Sequence, residues 1–509
     1  MTLLDLTIFL PLIGFLVLIL MPRGNDELVR RVAIGIAVLV FLLSLGLIGP
    51  VMSAPKDFQF VQNTPWIDVM KINYHVGIDG LSMWLVILTT FLTPIAMLVS
   101  WKHIDQRVKE FFAFLLLLEF GMTGVFVSLD LFLFYTFWEV GLVPMYFLIG
   151  IWGHDRRIYA AVKFFLYTLA GSVLMLGAMI FIYNRAKTFD YVEILKNIQS
   201  GMLTFTHTEE LLLFLAFFIA FAIKVPMFPL HTWLPDAHVE APTAGSVMLA
   251  SVMLKMGCYG LIRFCLPLFP GPAHDCAPWI MGLGVIGIVY GALVAMVQPN
   301  MKKLVAYSSV SHLGFVVLGV FTFTQAGLDG AVYQMLAHGI STGALFMLVG
   351  MLYERQHSLE IKSYGGVGTP APNLTTVFVI ATLASIGLPL LSNFVGEYLV
   401  LQGASKVNML GTVFAATGPI FAAVYMLWMV QRVFYGKTDG NLHMSDLTMR
   451  EYIALVPMIA MMVWMGVYSQ TFLPAASSQN AEILKMSQDR RTAVADIAKP
   501  GQQEVRDAR

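Results

Sequence analysis

FAIKVPMFPLHTWLPDAHVEAPT, residues 221–243, places a lysine at the end of a long apolar run and two prolines within the next five residues. His231, Asp236, His238 and Glu240 follow. The run begins near residue 210 and is long enough to cross lipid, since a bilayer core about 30 Å thick needs roughly 20 apolar residues in a helix. Lys224 lies about fourteen residues in, or some 20 Å at about 1.5 Å per residue, which is deep for a snorkelling side chain. Pro226 removes the hydrogen bond to the Ala222 carbonyl, and Pro229 removes the one to Val225. A buried charge therefore stands beside a broken helix.

The whole chain is apolar. Its 509 residues are 58% hydrophobic and 12% charged, against about 25% charged in a soluble domain, and its mean hydropathy is +0.76. About fourteen runs have spanning length. They lie near 2–21, 31–53, 81–101, 111–129, 131–152, 160–184, 210–230, 243–264, 277–298, 303–324, 330–353, 374–401, 408–435 and 452–474. Apart from 54–78, 185–209 and a polar tail from 475 to 509, only short loops remain. Backbone groups in lipid are satisfied only in helices or closed barrels, so the expected fold is an all-α polytopic membrane bundle. Met1 leads directly into an apolar stretch with no cleavage signal, which reads as a first span. A formal net charge of zero removes the electrostatic case for a nucleic-acid partner. Cys258, Cys265 and Cys276 lack C-x-x-C spacing, which argues against a cluster, a zinc site or a disulfide framework.

Loop lysines and arginines set the orientation. One set of loops carries Arg23, Arg30, Arg31, Lys102, Arg107, Lys109, Arg156, Arg157, Lys302, Lys303, Arg355, Lys362, Arg432, Lys437 and Arg450. The other, the tail aside, carries Lys56, Lys71, Arg185, Lys187, Lys196, Arg263 and Lys406. The roughly twofold excess puts the first set in the cytoplasm and both termini outside.

Glu119, Glu139, Lys163, Lys224, Lys255, His312, His338 and Glu397 all fall inside apolar runs. An ionisable group at the bilayer centre costs at least about 2.5–3.5 kcal/mol and normally faces a partner or a water-filled cavity. One such group reads equally well as a buried ion pair or a snorkelling lysine. Several cations and acids at mid-depth in one chain read as a proton relay. Burial opposes the charge on lysine and carboxylate alike, and pairing restores both, so a Glu–Lys pair can be poised for a neighbouring charge to move a proton. His312, in AYSSVSHLGF, and His338, in QMLAHG, titrate near neutral pH, and Tyr307, Ser308, Ser309 and Ser311 offer hydroxyls for a water chain. Each histidine alone also reads as a satisfied interhelical hydrogen bond. Lys163 and His231 are further relay candidates, and Glu119 reads as structural. Gly387 and Pro389 break the run 374–401 upstream of Glu397 and release the Ser385 carbonyl. Breaks at corresponding places in two halves point to a transporter built from inverted repeats.

Three other signals lead elsewhere. Gly282, Gly284 and Gly287 match G-x-G-x-x-G but lie inside a span with no strand before them, so they read as helix-packing glycines. His231, Asp236, His238 and Glu240 are metal-ligand types without a recognised ligand spacing. A haem between His312 and His338 would leave the buried lysines and glutamates unexplained.

Five stretches carry a family resemblance: DLFLFYTFWEVGLVPMYFLIG (130–150), AVKFFLYTLAGS (161–172), KVPMFPLHTWLPDAHVEAPTAGSVMLASVMLKMG (224–257), KKLVAYSSVSHLGF (302–315) and GLPLLSNFVGEY (387–398). They resemble the antiporter-like subunits of respiratory complex I, NADH:quinone oxidoreductase, over essentially the whole chain except the tail. The resemblance implies two inverted five-helix repeats, 111–264 and 265–435. A three-helix segment (1–110) precedes them, and a last span with its loop (436–474) and the tail follow. It implies that Glu139 pairs with Lys224 as the channel input, that Lys255 is the central relay and that Glu397 is the exit, with His312 and His338 lining the axis. No cofactor is expected on this chain; FMN, iron–sulfur clusters, NADH and quinone are implied on partner subunits. Those partners would be the other membrane subunits, above all the homologous chains L and N, in the bacterial inner membrane. This chain ends without the long lateral helix of chain L, and it carries an acid, Glu397, where chains L and N and the multisubunit sodium/proton antiporters typically have lysine. Asn300 and Leu390 depart from an Asp and a Gly common in the family. A subunit of a sodium/proton antiporter or membrane-bound hydrogenase is the alternative, and a haem-binding electron carrier a remote one.

Overall fold

A computed structural model describes residues 2–22, 24–436 and 444–497. The loop charges Arg23 and Lys437 and the end of the tail lie outside the described residues. Eleven helices among those residues are long and apolar enough to cross a bilayer, and each overlaps one of the expected runs. The other three runs form Met83–Val99 and Pro372–Ile386, which are shorter apolar helices, and His207–Lys224, 18 residues that include Glu209, Glu210 and Lys224. The fold is an all-α membrane bundle.

One hairpin interrupts the helices. Gln59–Ile67 and Ile72–Ile78 pair antiparallel within the stretch 54–78. Two aspartates fasten it to the bundle. Asp130 caps the Leu131–Trp152 helix by accepting the Phe132 and Leu133 amides at 2.9 and 3.0 Å, and it also takes the Asn73 amide at 3.2 Å. Burial pushes its carboxyl up to about 6. Asp190 caps the Tyr191–Gln199 helix and meets His75 Nδ1 at 2.7 Å. Burial works against the Asp190 charge, but the His75 bond and the Glu193 and Val192 amides outweigh it and hold the carboxyl below its ordinary range.

Elsewhere glycines bring helices together. A Cβ at Gly284 would lie 3.2 Å from the Gly314 carbonyl oxygen, and one at Gly291 only 2.8 Å from the Ser311 nitrogen. Pro270–Met296 and Met301–Val320 therefore touch backbone to backbone at Gly284, the packing role expected of it, and at Gly291, whereas a Cβ at Gly282 would meet nothing within 4 Å, so that glycine does not serve close packing here.

Two charges assigned to loops are inside the bundle. Arg263 is 2% exposed and lies on the Thr243–Leu268 helix, where it donates to Asp79 at 2.5 Å. Lys302 is 3% exposed at the start of Met301–Val320. The polar tail also differs from expectation. Leu473–Ile497 is a 25-residue helix that buries Ala475, Ala476, Ile483 and Leu484. It is tied to the Gln325–Gln356 helix through Asp329, which accepts from Ser477 at 2.7 Å and from Asn480 at 2.8 Å. Its apolar stripe is one face only, which averages away in a hydropathy window.

Candidate functional site

The opening stretch folds as a stop, a turn and a restart. His207–Lys224 ends at the lysine. Pro226 cannot donate, and the Ala222 carbonyl takes the Met227 amide at 2.9 Å instead. Trp233–Glu240 is a short helix, and Thr243 begins the next span. Lys302 Nζ caps the gap between them by donating to the Ala241 and Val239 carbonyls at 2.5 and 3.4 Å.

Lys224 is 0% exposed, and its Nζ has no hydrogen-bond partner. It sits over the faces of Trp138 and Phe164, at 5.5 and 5.3 Å from the ring centroids, so cation–π attraction partly replaces the lost hydration. Glu139 is the charge that acts on it. Glu139 is half-buried, and its Oε1 is enclosed without a partner. The two are thus coupled through space and not by a direct hydrogen bond. A Cβ at Gly257 would lie 3.0 Å from Lys224 Cβ, so this glycine brings the two lysine helices into contact.

Lys255 begins a run of two hydrogen-bonded pairs, Lys255–His338 and His312–Glu397. Its helix widens into π turns on either side of it, at Leu249–Met253 and Leu261–Cys265. Such turns leave carbonyls free and occur frequently at functional sites. Lys255 Nζ lies 2.6 Å from the Ala250 carbonyl oxygen and 2.7 Å from His338 Nδ1. A charged ammonium needs Nδ1 as acceptor, which leaves the His338 proton on Nε2. The His338 ring is 5.7 Å from that of His312. His312 Nδ1 is 2.8 Å from Glu397 Oε1, which also accepts from Gln334 Nε2 at 3.0 Å. All four members of the run are at most 3% exposed.

The second break supports this end of the run. Gly387 closes Pro372–Ile386 in the left-handed region at φ 84°, and the Ser392–Ser405 helix restarts just beyond. A Cβ at Gly387 would be 3.1 Å from Glu397 Oε2, so glycine lets the carboxylate reach the break. The hydroxyl of Ser385, whose carbonyl the break was expected to release, lies 3.4 Å from His312 Nε2.

Other candidates have different partners. Lys163 donates to Asp236 at 2.6 Å and to the Thr232 carbonyl at 3.0 Å, so it braces the loop of the first break. His231 is ringed by Phe228, Tyr290 and Tyr307. Glu240 accepts the Arg156 amide at 2.9 Å, and His238 stacks on Phe346 at 4.5 Å. The four ligand-type residues, three of them on the Trp233–Glu240 helix, therefore face four different neighbours. Ser308, Ser309 and Ser311 spend their hydroxyls on backbone carbonyls. Glu119 is 0% exposed beside Thr93.

Three further residues stand beside this run: Gln334, which the sequence reading passed over, His238, which it weighed only as a metal-ligand type, and Lys302, which it placed in a loop. Gln334 stands four residues before His338, a spacing that puts both on one helix face. His238 is 0% exposed, both of its ring nitrogens lack partners, and Lys302 and Lys255 are the charges that act on it. Lys302 is the third. Beyond it lies His154, pushed down to about 4 by burial and then by the Lys302 charge.

Comparison with known proteins fits this architecture. A family described as "NADH:quinone oxidoreductase/Mrp antiporter, TM" matches residues 128–422, and "NADH-ubiquinone oxidoreductase chain 4, amino terminus" matches residues 6–123. NADH-quinone oxidoreductase subunit M of Rhodobacter capsulatus is 47% identical, with 92% of this chain and 93% of the relative covered. NADH-ubiquinone oxidoreductase chain 4 of Marchantia polymorpha is 43% identical, with 92% and 94% covered. A chain of Thermus thermophilus respiratory complex I with bound NADH superposes with a TM-score of 0.87 at 31% identity, covering 95% of this chain and 99% of that one. A chain of an archaeal membrane-bound sulfane sulfur reductase gives 0.82 at 23% identity over 92% and 76%, a likeness of fold alone. The chain belongs to the family of antiporter-like membrane subunits of NADH:quinone oxidoreductase, alongside bacterial subunit M and plant chain 4.

Proposed function

We propose that this chain translocates protons across the bacterial inner membrane as a subunit of NADH:quinone oxidoreductase, driven by electron transfer from NADH to quinone on partner subunits. The buried run Lys255–His338–His312–Glu397 is the observation that supports this most directly. Lys224, under the influence of Glu139, receives the proton. A change in that pair's charge alters the cost of holding a proton on Lys255. Lys255 hands a proton to His338 Nδ1, His338 passes one from Nε2 toward His312, and Glu397 accepts it at the second break. The 5.7 Å between the histidine rings is within reach through one water. Lys302 and His238 form the cytoplasmic side of the route to Lys255. No step in this scheme uses a redox group on this chain. FMN, clusters and quinone belong to partners, and the neighbouring membrane subunits are chains L and N.

The orientation supporting this direction is the excess of loop cations on the side of His154, with both termini in the periplasm. The halves 111–264 and 265–435 act as inverted repeats, each carrying one helix break beside its charged group. In reconstituted vesicles, Glu139→Ala or Lys224→Ala is expected to abolish or severely impair NADH-driven proton pumping, and Glu397→Gln to do the same. Normal pumping by both of the first two variants would sink the input pair. A Soret band on the purified chain would favour the haem reading instead, and the identity of co-purifying subunits separates complex I from the antiporters.

A further inference from the structure

Gln325–Gln356 carries more than the relay histidine. His338, Phe346, Tyr353 and the capping residue His357 fall on one broad face of this helix. That face runs from the relay to the end of the bundle that carries the excess of loop cations. The first three each meet a basic side chain from another element. His338 meets Lys255, and Phe346 stacks with His238. Tyr353 is ringed by three histidines, with centroids 4.9 Å away at His154, 5.9 Å at His357 and 6.4 Å at His103.

Three of the chain's 11 histidines thus gather at one place. They come from the loop after Met83–Val99, the loop after Leu131–Trp152 and the cap of Gln325–Gln356. His103 and His357 are exposed, whereas His154 is half-buried and is the inner member. Its Nδ1 lies 3.5 Å from the Tyr353 hydroxyl, and its amide donates to the Glu240 carbonyl at 3.0 Å. Lys302 Nζ holds the carbonyls on either side of that one, Val239 and Ala241. His154 and Lys302 therefore cap the same helix end, and His238 stands two residues before Glu240. The Lys302 charge acts on His154 and on His103. His103 and Asp155 also act on His154, and His357, Asp105 and Arg450 act on His103.

We propose that His103, His154 and His357 form a proton-collecting mouth that loads Lys302 and so supplies His238 and Lys255. This rests on the relay reading of Lys255. Imidazole is the side chain that exchanges protons near neutral pH, and two of the three rings face water. His103 and His357 take protons from water and buffer. His154 receives one on a ring nitrogen and gives it to Lys302 once Lys302 has passed its own to His238. Each transfer leaves the donor one charge lower and the acceptor one higher, so a single proton moves inward.

The test uses the assembled complex in vesicles with its NADH-oxidising face outward and a pH indicator trapped inside. In weakly buffered medium, replacing His103, His154 and His357 together by glutamine is expected to lower the initial rate of acidification by about fivefold, part of what positioned proton-transfer groups contribute. Adding HEPES, a membrane-impermeant buffer that carries protons to the surface, is expected to restore most of the wild-type rate. A structural role for the histidines would not respond to buffer, so a loss that HEPES leaves in place overturns the proposal. A wild-type rate in weak buffer overturns it as well. Lys255→Ala in the same vesicles separates the two readings. If it is impaired while the triple variant pumps normally, the mouth alone falls; if it pumps normally, the relay falls and the mouth with it. Should the triple variant not assemble, His103→Gln at its exposed loop position decides, with an expected loss of about twofold and the same restoration by HEPES.

Discussion

Asp79 and Arg263 form an ion pair whose disruption has a calculable cost. Their side chains are 0% and 2% exposed, so neither charge can turn to solvent. Asp79 divides its work between two oxygens. Oδ1 accepts the Leu81 and Ser82 amides and the Ser82 hydroxyl, all at 3.1 Å, while Oδ2 faces the guanidinium at 2.5 Å. Asp79→Asn keeps the first set and leaves the arginine without a counter-charge, with the Tyr259 hydroxyl at 3.1 Å, the Tyr191 side chain and the faces of Phe58 and Tyr259 around it. Removing one partner of a buried pair costs about 3–5 kcal/mol, and this variant belongs at the upper end. Arg263→Met leaves a carboxylate that still has three donors, which places it near about 3 kcal/mol. The double variant keeps the turn at Asp79 and buries no charge, so it is expected to recover most of the loss, to within about 1 kcal/mol of wild type. Unfolding of the purified chain by titration with sodium dodecyl sulfate measures all four proteins as a double-mutant cycle. Additive losses in the double variant, or single losses below about 1 kcal/mol, would refute the assignment of this pair as an anchor of the Lys255 helix.

Other consequences are open to measurement. Leu390 has φ 75°, a conformation that costs a branched residue about 1–2 kcal/mol; Leu390→Gly is expected to stabilise the chain by up to about 1 kcal/mol after glycine's greater chain entropy is subtracted, read in the same titration. A Cβ at Gly257 would be 2.8 Å from the Phe221 carbonyl oxygen, so Gly257→Ala is expected to cost about 1–3 kcal/mol and to slow pumping by separating the lysine helices. His154, held at about 4 against about 6.5 in a free chain, binds its proton more readily when unfolded. Its contribution is complete above about pH 6.5 and is lost as pH falls toward 4. His154→Gln is expected to lose less thermal stability than wild type between pH 7.5 and 5.5.

The first break was legible because its causes are local: Pro226 and Pro229 stand beside Lys224, and proline acts on its own helix. The second was legible at Gly387 for the same reason. Lys255, His338, His312 and Glu397 stood out because ionisable groups are rare in apolar runs. Arg263 and Lys302 were misplaced because a cation near the end of an apolar run looks like a loop residue. What buries them is tertiary: Asp79 is 184 positions from Arg263, and Lys302 caps carbonyls 61 and 63 positions away. Gln334 was overlooked because it carries no charge, although its spacing to His338 was visible. The Trp138 and Phe164 faces over Lys224 could not be read from an apolar sequence, where aromatics are everywhere and only packing selects two of them.

The π turns around Lys255 leave a trace beyond this one chain. A π turn closes over one residue more than an α turn, so in sequence terms each is a single-residue insertion inside a membrane span. A relative that lacks one of these wide turns, yet keeps its lysine facing the same histidine, must also lack one residue between the positions of Gly245 and Leu268. In an alignment that difference appears as an isolated gap in the middle of an apolar run, where gaps are ordinarily dismissed as errors. Here such a gap would record whether a lineage gained or lost a widened turn beside its central lysine.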